Sequence, residues 1–143
     1  MNEFQAAMGL CNLRHIEDCI IKRKKLSERY HEQLDGIYGI RLCSEQDGVK
    51  SNYAYMPVVF DGFHHTRDEV FEKLMKHDIV ARKYFYPITC DLECYQMSPF
   101  AKSASTPVAR HISAHVLTLP IYEELEFETV DKICSIIKKD VIT

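Results

Sequence analysis

The first 34 residues are helix-forming almost throughout, but the distribution of their apolar side chains changes part-way along. Phe4, Ala6, Ala7, Met8, Leu10, Leu13, Ile16 and Ile20 spread over most of a helical surface. Leu26, Tyr30 and Leu34 instead fall on one stripe at four-residue spacing. A helix apolar on most sides needs cover all round, and only Asn2 stands ahead of this one as a capping residue. The sequence therefore predicts one long helix over residues 2–34, with room for a bend, stopped by Asp35-Gly36. Its first half is to be deeply packed and its second half to lie on a surface. Because chain termini ordinarily sit at surfaces, the opening also predicts that a further segment precedes and covers this helix.

Beyond the helix the period changes. Ile37 to Leu42 and Tyr53 to Phe60 read as strands on either side of a polar loop around Asp47-Gly48, with Pro57 suited to an edge or bulge. Thr66-Arg67-Asp68-Glu69 is a capping box. It starts a helix striped with Val70, Phe71, Leu74 and Met75 that ends near His77-Asp78. Ile79 to Tyr86 reads as a returning strand. Ser105-Thr106-Pro107 places proline at the start of another helix. Val116 to Leu119 is a short strand halted by Pro120. The last helix, Glu126 to Lys139, is acidic at its start and basic at its end, with Val130, Ile133, Ile136 and Ile137 as its buried stripe. The only long irregular stretch runs from Thr89 to Ser105, and loops of that length are often functional. These elements make an α+β fold: a small, largely antiparallel sheet covered by helices, with a long N-terminal helix. Residues 1–143 form one small domain, a leading helix over 1–34 followed by an α+β body over 35–143.

Charge and composition narrow the partners. A net charge of −3 gives no electrostatic footprint for nucleic acid. Lys22-Arg23-Lys24-Lys25, the one basic run, reads as a solvated helix face. No apolar stretch is long enough to span a bilayer, and nothing resembles a signal peptide. The six cysteines are scattered and read as reduced cytoplasmic thiols, most of them small core residues. Cys90 and Cys94 lack further ligands at a recognisable spacing, so no metal site is expected from them. His64-His65 follows the Asp61-Gly62 turn and reads as solvated.

The densest chemistry lies in Arg82-Lys83-Tyr84-Phe85-Tyr86-Pro87. In an extended chain Arg82, Tyr84 and Tyr86 share one face, and Lys83 and Phe85 the other. A guanidinium beside two phenols suits a phosphate or a sugar: the arginine gives charge and a fork, the tyrosines flat faces and hydroxyls. A strand end whose tyrosines merely pack fits the composition equally well. Lys83 has Arg82 beside it to depress its pKa, as a Schiff-base lysine would need, but alternation turns it away from the tyrosines. No glycine-rich phosphate loop, nucleophile elbow or metal-binding His-Glu-x-x-His helix occurs. These residues alone assemble no complete catalytic set.

Three segments resemble one family in order and spacing over essentially the whole chain. Met1 to Leu10 is similar to the helix that follows the cofactor-lysine region in the DegT/DnrJ/EryC1/StrS family of sugar aminotransferases. Ile79-Val80-Ala81-Arg82-Lys83-Tyr84-Phe85-Tyr86-Pro87 resembles that family's small-domain strand. Pro107-Val108-Ala109 followed by Val116-Leu117-Thr118-Leu119-Pro120-Ile121-Tyr122 resembles its closing segment. The resemblance implies the C-terminal part of a fold type I enzyme that uses pyridoxal phosphate. It implies a nucleotide-linked keto-sugar as substrate, glutamate as amino donor, a homodimer and a role in polysaccharide biosynthesis. The cofactor lysine and the rest of the catalytic and cofactor-binding set are expected upstream of Met1, which would leave this chain inactive alone. Arg82, Tyr84 and Tyr86 are then the residues expected at the substrate. Two alternatives stay open: a sugar-nucleotide dehydratase of the same family, in which histidine replaces the cofactor lysine, and a non-enzymatic binding module.

Overall fold

The computed structural model describes residues 1–97 and 105–139. The expected long helix is divided in two, α1 (Glu3–Leu13) and α2 (Ile16–Leu34). At the junction the amides of Arg14 and His15 donate to the carbonyls of Cys11 and Asn12, three residues back. That tighter turn ends one ladder before the Cys19 amide restarts the next on the His15 carbonyl. The bend anticipated in the sequence is thus a break, placed within the broadly apolar half and ahead of the Leu26-Tyr30-Leu34 stripe.

Three antiparallel strands, β1 (Ile40–Leu42), β2 (Met56–Phe60) and β3 (Val116–Leu119), lie in the order β1-β2-β3. Ile40 faces Phe60, Val58 faces Leu117 and Met56 faces Leu119. With a period of two, this register points Ile40, Met56, Val58, Phe60, Leu117 and Leu119 into one core. Three helices cover that face: α2, α3 (Arg67–Met75) and α6 (Phe127–Lys138). They contribute Leu26, Tyr30 and Leu34 from α2, Val70 and Leu74 from α3, and Val130, Ile133, Ile136 and Ile137 from α6. The opposite face, where Val59 and Val116 are buried, lies on the side of α5 (Pro107–His115). A short 3₁₀ turn (Thr89–Asp91) and α4 (Glu93–Gln96) precede α5. Much of the stretch expected to be irregular, residues 98–104, lies outside the described residues.

Local signals place these elements. The Thr66 hydroxyl accepts from the Glu69 amide while the Glu69 carboxylate accepts from the Thr66 amide, closing the capping box ahead of α3. Met75 at its far end is exposed, so the stripe on α3 is narrower than the sequence suggests. Gly39 enters β1 at φ +78°, and a Cβ there would lie 2.0 Å from the Phe63 amide nitrogen. No other residue fits that turn. Tyr30 is fully buried and its hydroxyl donates to the Pro120 carbonyl at 2.9 Å, tying α2 to the end of β3. On the surface Arg29 grips Asp131 with two bonds of 2.8 Å, joining α2 to α6.

Two expectations are corrected. Of the six cysteines only Cys134 is buried, where desolvation pushes its thiol up to about 12. Cys11 is exposed because α1 is uncovered, and Cys43 and Cys94 lie on exposed segments. His65 is not solvated: it is 9% exposed, and its Nε2 meets the Lys73 ammonium near the Lys139 carbonyl. Lys73 donates to that same carbonyl at 2.7 Å, so the pair satisfies the C-terminal end of α6.

Helix α1 buries no residue. Phe4 is 85% exposed and Met8 68%, and Leu10 and Leu13 are exposed with them. An apolar face this continuous drives association in water. Replacing Phe4 and Met8 by serine is expected to lower self-association of the chain in sedimentation velocity while leaving its thermal midpoint in place.

Acid should loosen the packing of helix on helix. Asp131 is held below the usual carboxylate range, first by its hydrogen bond from Arg29. Asp68 is lowered chiefly by Lys83, and Glu69 by its bonds from Thr66. A depressed folded-state pKa adds stability above the unfolded value, about 3.9–4.3 for these groups. That contribution disappears as pH falls through the lower folded-state values. The thermal midpoint should therefore drop on acidification below about pH 4, and Asp131→Asn should make the drop shallower.

Candidate functional site

The expected strand from Ile79 to Tyr86 is reduced to a single bridge. Arg82 donates to the Thr118 carbonyl at 3.0 Å and accepts from the Thr118 amide at 2.8 Å. The next pair toward β3's end would set Val80 against Pro120, which has no amide hydrogen to give. In the other direction the chain turns at Tyr84-Phe85. There the Tyr84 ring stacks on Phe85 at 4.0 Å and lies 4.8 Å from Tyr55. Stacked neighbours share a side, so the alternation expected of an extended segment does not hold.

Each of the three expected residues consequently has its own surroundings. Arg82 is exposed and lines a cleft of about 370 Å³ with Tyr55, Thr118, Pro120 and Tyr122. Tyr84 reaches this wall through Tyr55, whose hydrogen bond raises the Tyr84 phenol above its ordinary pKa. Tyr86 sits under the Arg67 guanidinium at 4.6 Å. That arginine is only 3% exposed; it donates to the Ser113 carbonyl and its Nε lies 2.8 Å from Asp68. The Tyr86 ring thus braces the segment against α3 and α5.

Thr118 completes the cleft. It is 6% exposed, and its hydroxyl oxygen is buried without a hydrogen-bond partner among the described residues. A buried hydroxyl left unpaired costs about 1–3 kcal/mol, and because its oxygen is closed to solvent a ligand could meet it only after a side-chain movement. Arg82 provides charge and two-pronged donation beside it, and Tyr55 and Tyr122 provide flat walls. This combination suits an anionic sugar-bearing ligand. A larger hollow of about 950 Å³ between α2 and residues 43–57 is walled by Glu28, Glu32, Asp35 and Glu45, and repels such an anion.

Lys83 does not enter the cleft. Its ammonium pairs with Asp68 and lies 4.7 Å from the centre of the Phe71 ring. Tyr55, Thr118 and Tyr122 were not singled out by sequence chemistry. All three do lie in segments marked by pattern, the expected strand Tyr53 to Phe60 and the stretch Val116 to Tyr122.

The sequence profile of the DegT/DnrJ/EryC1/StrS aminotransferase family matches residues 1–138. The chain belongs to this family. It is 40% identical over 138 residues to a dTDP-4-amino-4,6-dideoxy-D-glucose transaminase of Escherichia coli, covering 96% of the chain and 37% of that protein. A transaminase of the same description from Shigella dysenteriae is 32% identical over 140 residues, covering 97% of the chain and 38% of that protein. Among solved structures, DesI in the presence of its TDP-sugar product superimposes with a TM-score of 0.87 at 27% identity. That match covers 96% of the chain and 35% of DesI. The chain therefore spans a little over a third of the length of the relatives it matches. Its architecture is that of the C-terminal part of a fold type I enzyme, as the resemblance implied.

Proposed function

We propose that this chain is the small domain of a pyridoxal-phosphate-dependent aminotransferase that acts on a dTDP-linked 4-keto-6-deoxy sugar, with glutamate as amino donor. The likeness to the Escherichia coli transaminase along nearly the whole chain carries this reading. The cleft is consistent with it: Arg82 for a phosphate oxygen, Tyr55 and Tyr122 for the flat faces of sugar or base. In this reading Tyr84 and Tyr86 set the wall that carries Arg82, through the contacts of Tyr84 with Tyr55 and of Tyr86 with Arg67.

The residues present do not fit the cofactor itself. Pyridoxal phosphate needs an uncharged lysine amine and a cradle of phosphate donors. Lys83 is committed to Asp68 and Phe71, and among the described residues no lysine lines the cleft. The cofactor and its lysine thus belong to residues beyond this chain. The role of the chain is to bind and orient the sugar nucleotide, and alone it is inactive. The bare face of α1 is consistent with a domain that works against another surface, here the rest of the enzyme and a second subunit. Six unpaired cysteines accord with a reducing, cytoplasmic setting.

The test is to exchange this chain for the matching segment of the Escherichia coli transaminase. The chimera should aminate the dTDP-linked keto-sugar from glutamate, whereas the 143-residue chain alone, supplied with pyridoxal phosphate, should not. A soluble, cofactor-loaded chimera that leaves the sugar untouched would refute the assignment.

A further inference from the structure

Away from the cleft, the turn after β2 meets the last two turns of α5. Asp61 from the turn and His111 and His115 from the helix place their ligand atoms within 4.8 Å of one another. His111 Nε2 lies 2.8 Å from Asp61 Oδ2, and the two imidazoles sit 4.3 Å apart, centre to centre. We propose that Asp61, His111 and His115 form a binding site for a borderline divalent cation of the zinc class.

The donor set favours such an ion. Imidazole with a carboxylate suits zinc, cobalt and nickel, whereas calcium and magnesium prefer oxygen ligands alone. The two histidines stand four residues apart on one helix, so a single backbone element presents both rings to the same side. Nδ1 of His115 lies 2.7 Å from the His111 carbonyl, which can only accept. That bond fixes the proton on Nδ1 and leaves the Nε2 lone pair of His115 for a metal. At His111 a cation would take the place of the proton shared with Asp61.

The fit needs little movement. Ligand atoms about 2.1 Å from a tetrahedral ion stand about 3.4 Å apart, so the widest separation has to close by about 1.4 Å, within the reach of side chains that are exposed or partly so. The same exposure lets water fill the remaining position. Arg41 also draws on the Asp61 carboxylate, more weakly than either histidine. A bound ion would cross-link the β2–α3 turn to the end of α5, immediately ahead of β3. Its role is therefore structural, and it is independent of the aminotransferase reading.

The probe is Co²⁺ added to the complete 143-residue chain, followed by visible absorption and calorimetry. One equivalent should bind with the weak d–d bands of nitrogen and oxygen ligation and no sulfur charge-transfer band, and it should raise the thermal midpoint. His111→Ala, His115→Ala and Asp61→Asn should each weaken binding by about tenfold or more. Asp61 and His111 are exposed and His115 partly so, and each variant is checked for a native circular dichroism spectrum before titration. Absence of binding, a sulfur charge-transfer band, or affinity unchanged by these substitutions would overturn the proposal.

Discussion

Replacing Arg82 by alanine, in the chimera or in any complete enzyme carrying this segment, should lower kcat/KM for the sugar nucleotide by about ten- to a hundredfold. The size follows from the bonds at stake. Hydrogen bonds to a charged group contribute about 1.5–3 kcal/mol, and each 1.4 kcal/mol is a factor of ten. Among the described residues Arg82 has no ion-pair partner, and its backbone, not its side chain, makes the bridge to Thr118. Truncation should therefore leave the fold intact and act on the ligand. Lysine would keep the charge but lose the fork, and should recover only part of the loss. A kcat/KM for Arg82→Ala equal to that of the parent would remove this residue from the binding site. On the proposed reading amino-donor kinetics offer a control, because the amino donor is then a different molecule from the sugar nucleotide that Arg82 would hold.

The second large effect is on stability. Leu117 is fully buried in β3 opposite Val58, in the core that the sheet shares with α2, α3 and α6. Leu117→Ala should destabilise the chain by about 2–5 kcal/mol, the loss of buried surface adding to the cavity left behind. For a domain whose total stability is about 5–15 kcal/mol this is a large fraction. Denaturant titration would show the midpoint fall with little change in slope. Val108→Ala on α5, where the side chain is 75% exposed, should change the midpoint hardly at all. Because β3 also carries Thr118, the same core substitution should weaken ligand binding at temperatures well below unfolding.

The contrast between these positions shows what sequence patterning can and cannot reach. Local chemistry was legible: the Thr66-Glu69 box, the proline opening α5, Pro120 closing β3 and the stripe of α6 all stand where spacing put them. The break between α1 and α2 was half legible: a bend was allowed for, but no proline or glycine marks Arg14-His15 and the apolar pattern changes only further along, towards Leu26. The segment after Ile79 misled because its β-forming composition says nothing of its partner. Whether it pairs depended on Pro120, nearly forty residues away, and on Tyr55, which draws the Tyr84 ring aside. The same limit hid the burial of His65, which comes from the end of α6, and the meeting of Asp61 with His111, fifty positions apart. Arg82 was singled out because charge and aromatic residues cluster within a few positions. Thr118 was not, because an ordinary threonine gains meaning only when its hydroxyl is buried unpaired.

The bare helix at the start has a kinetic consequence. Helix α1 runs for 11 residues, held by its Asn2–Gln5 capping box and by no buried side chain. Isolated helices shorter than about 12–15 residues are marginal in water, so its amides should exchange with deuterium far sooner than those of α2, which is anchored by Tyr30 and Leu34. Any surface that closes over Phe4 and Met8 would slow that exchange. Isotope uptake over residues 3–13 then becomes a gauge of assembly, readable without any turnover of substrate.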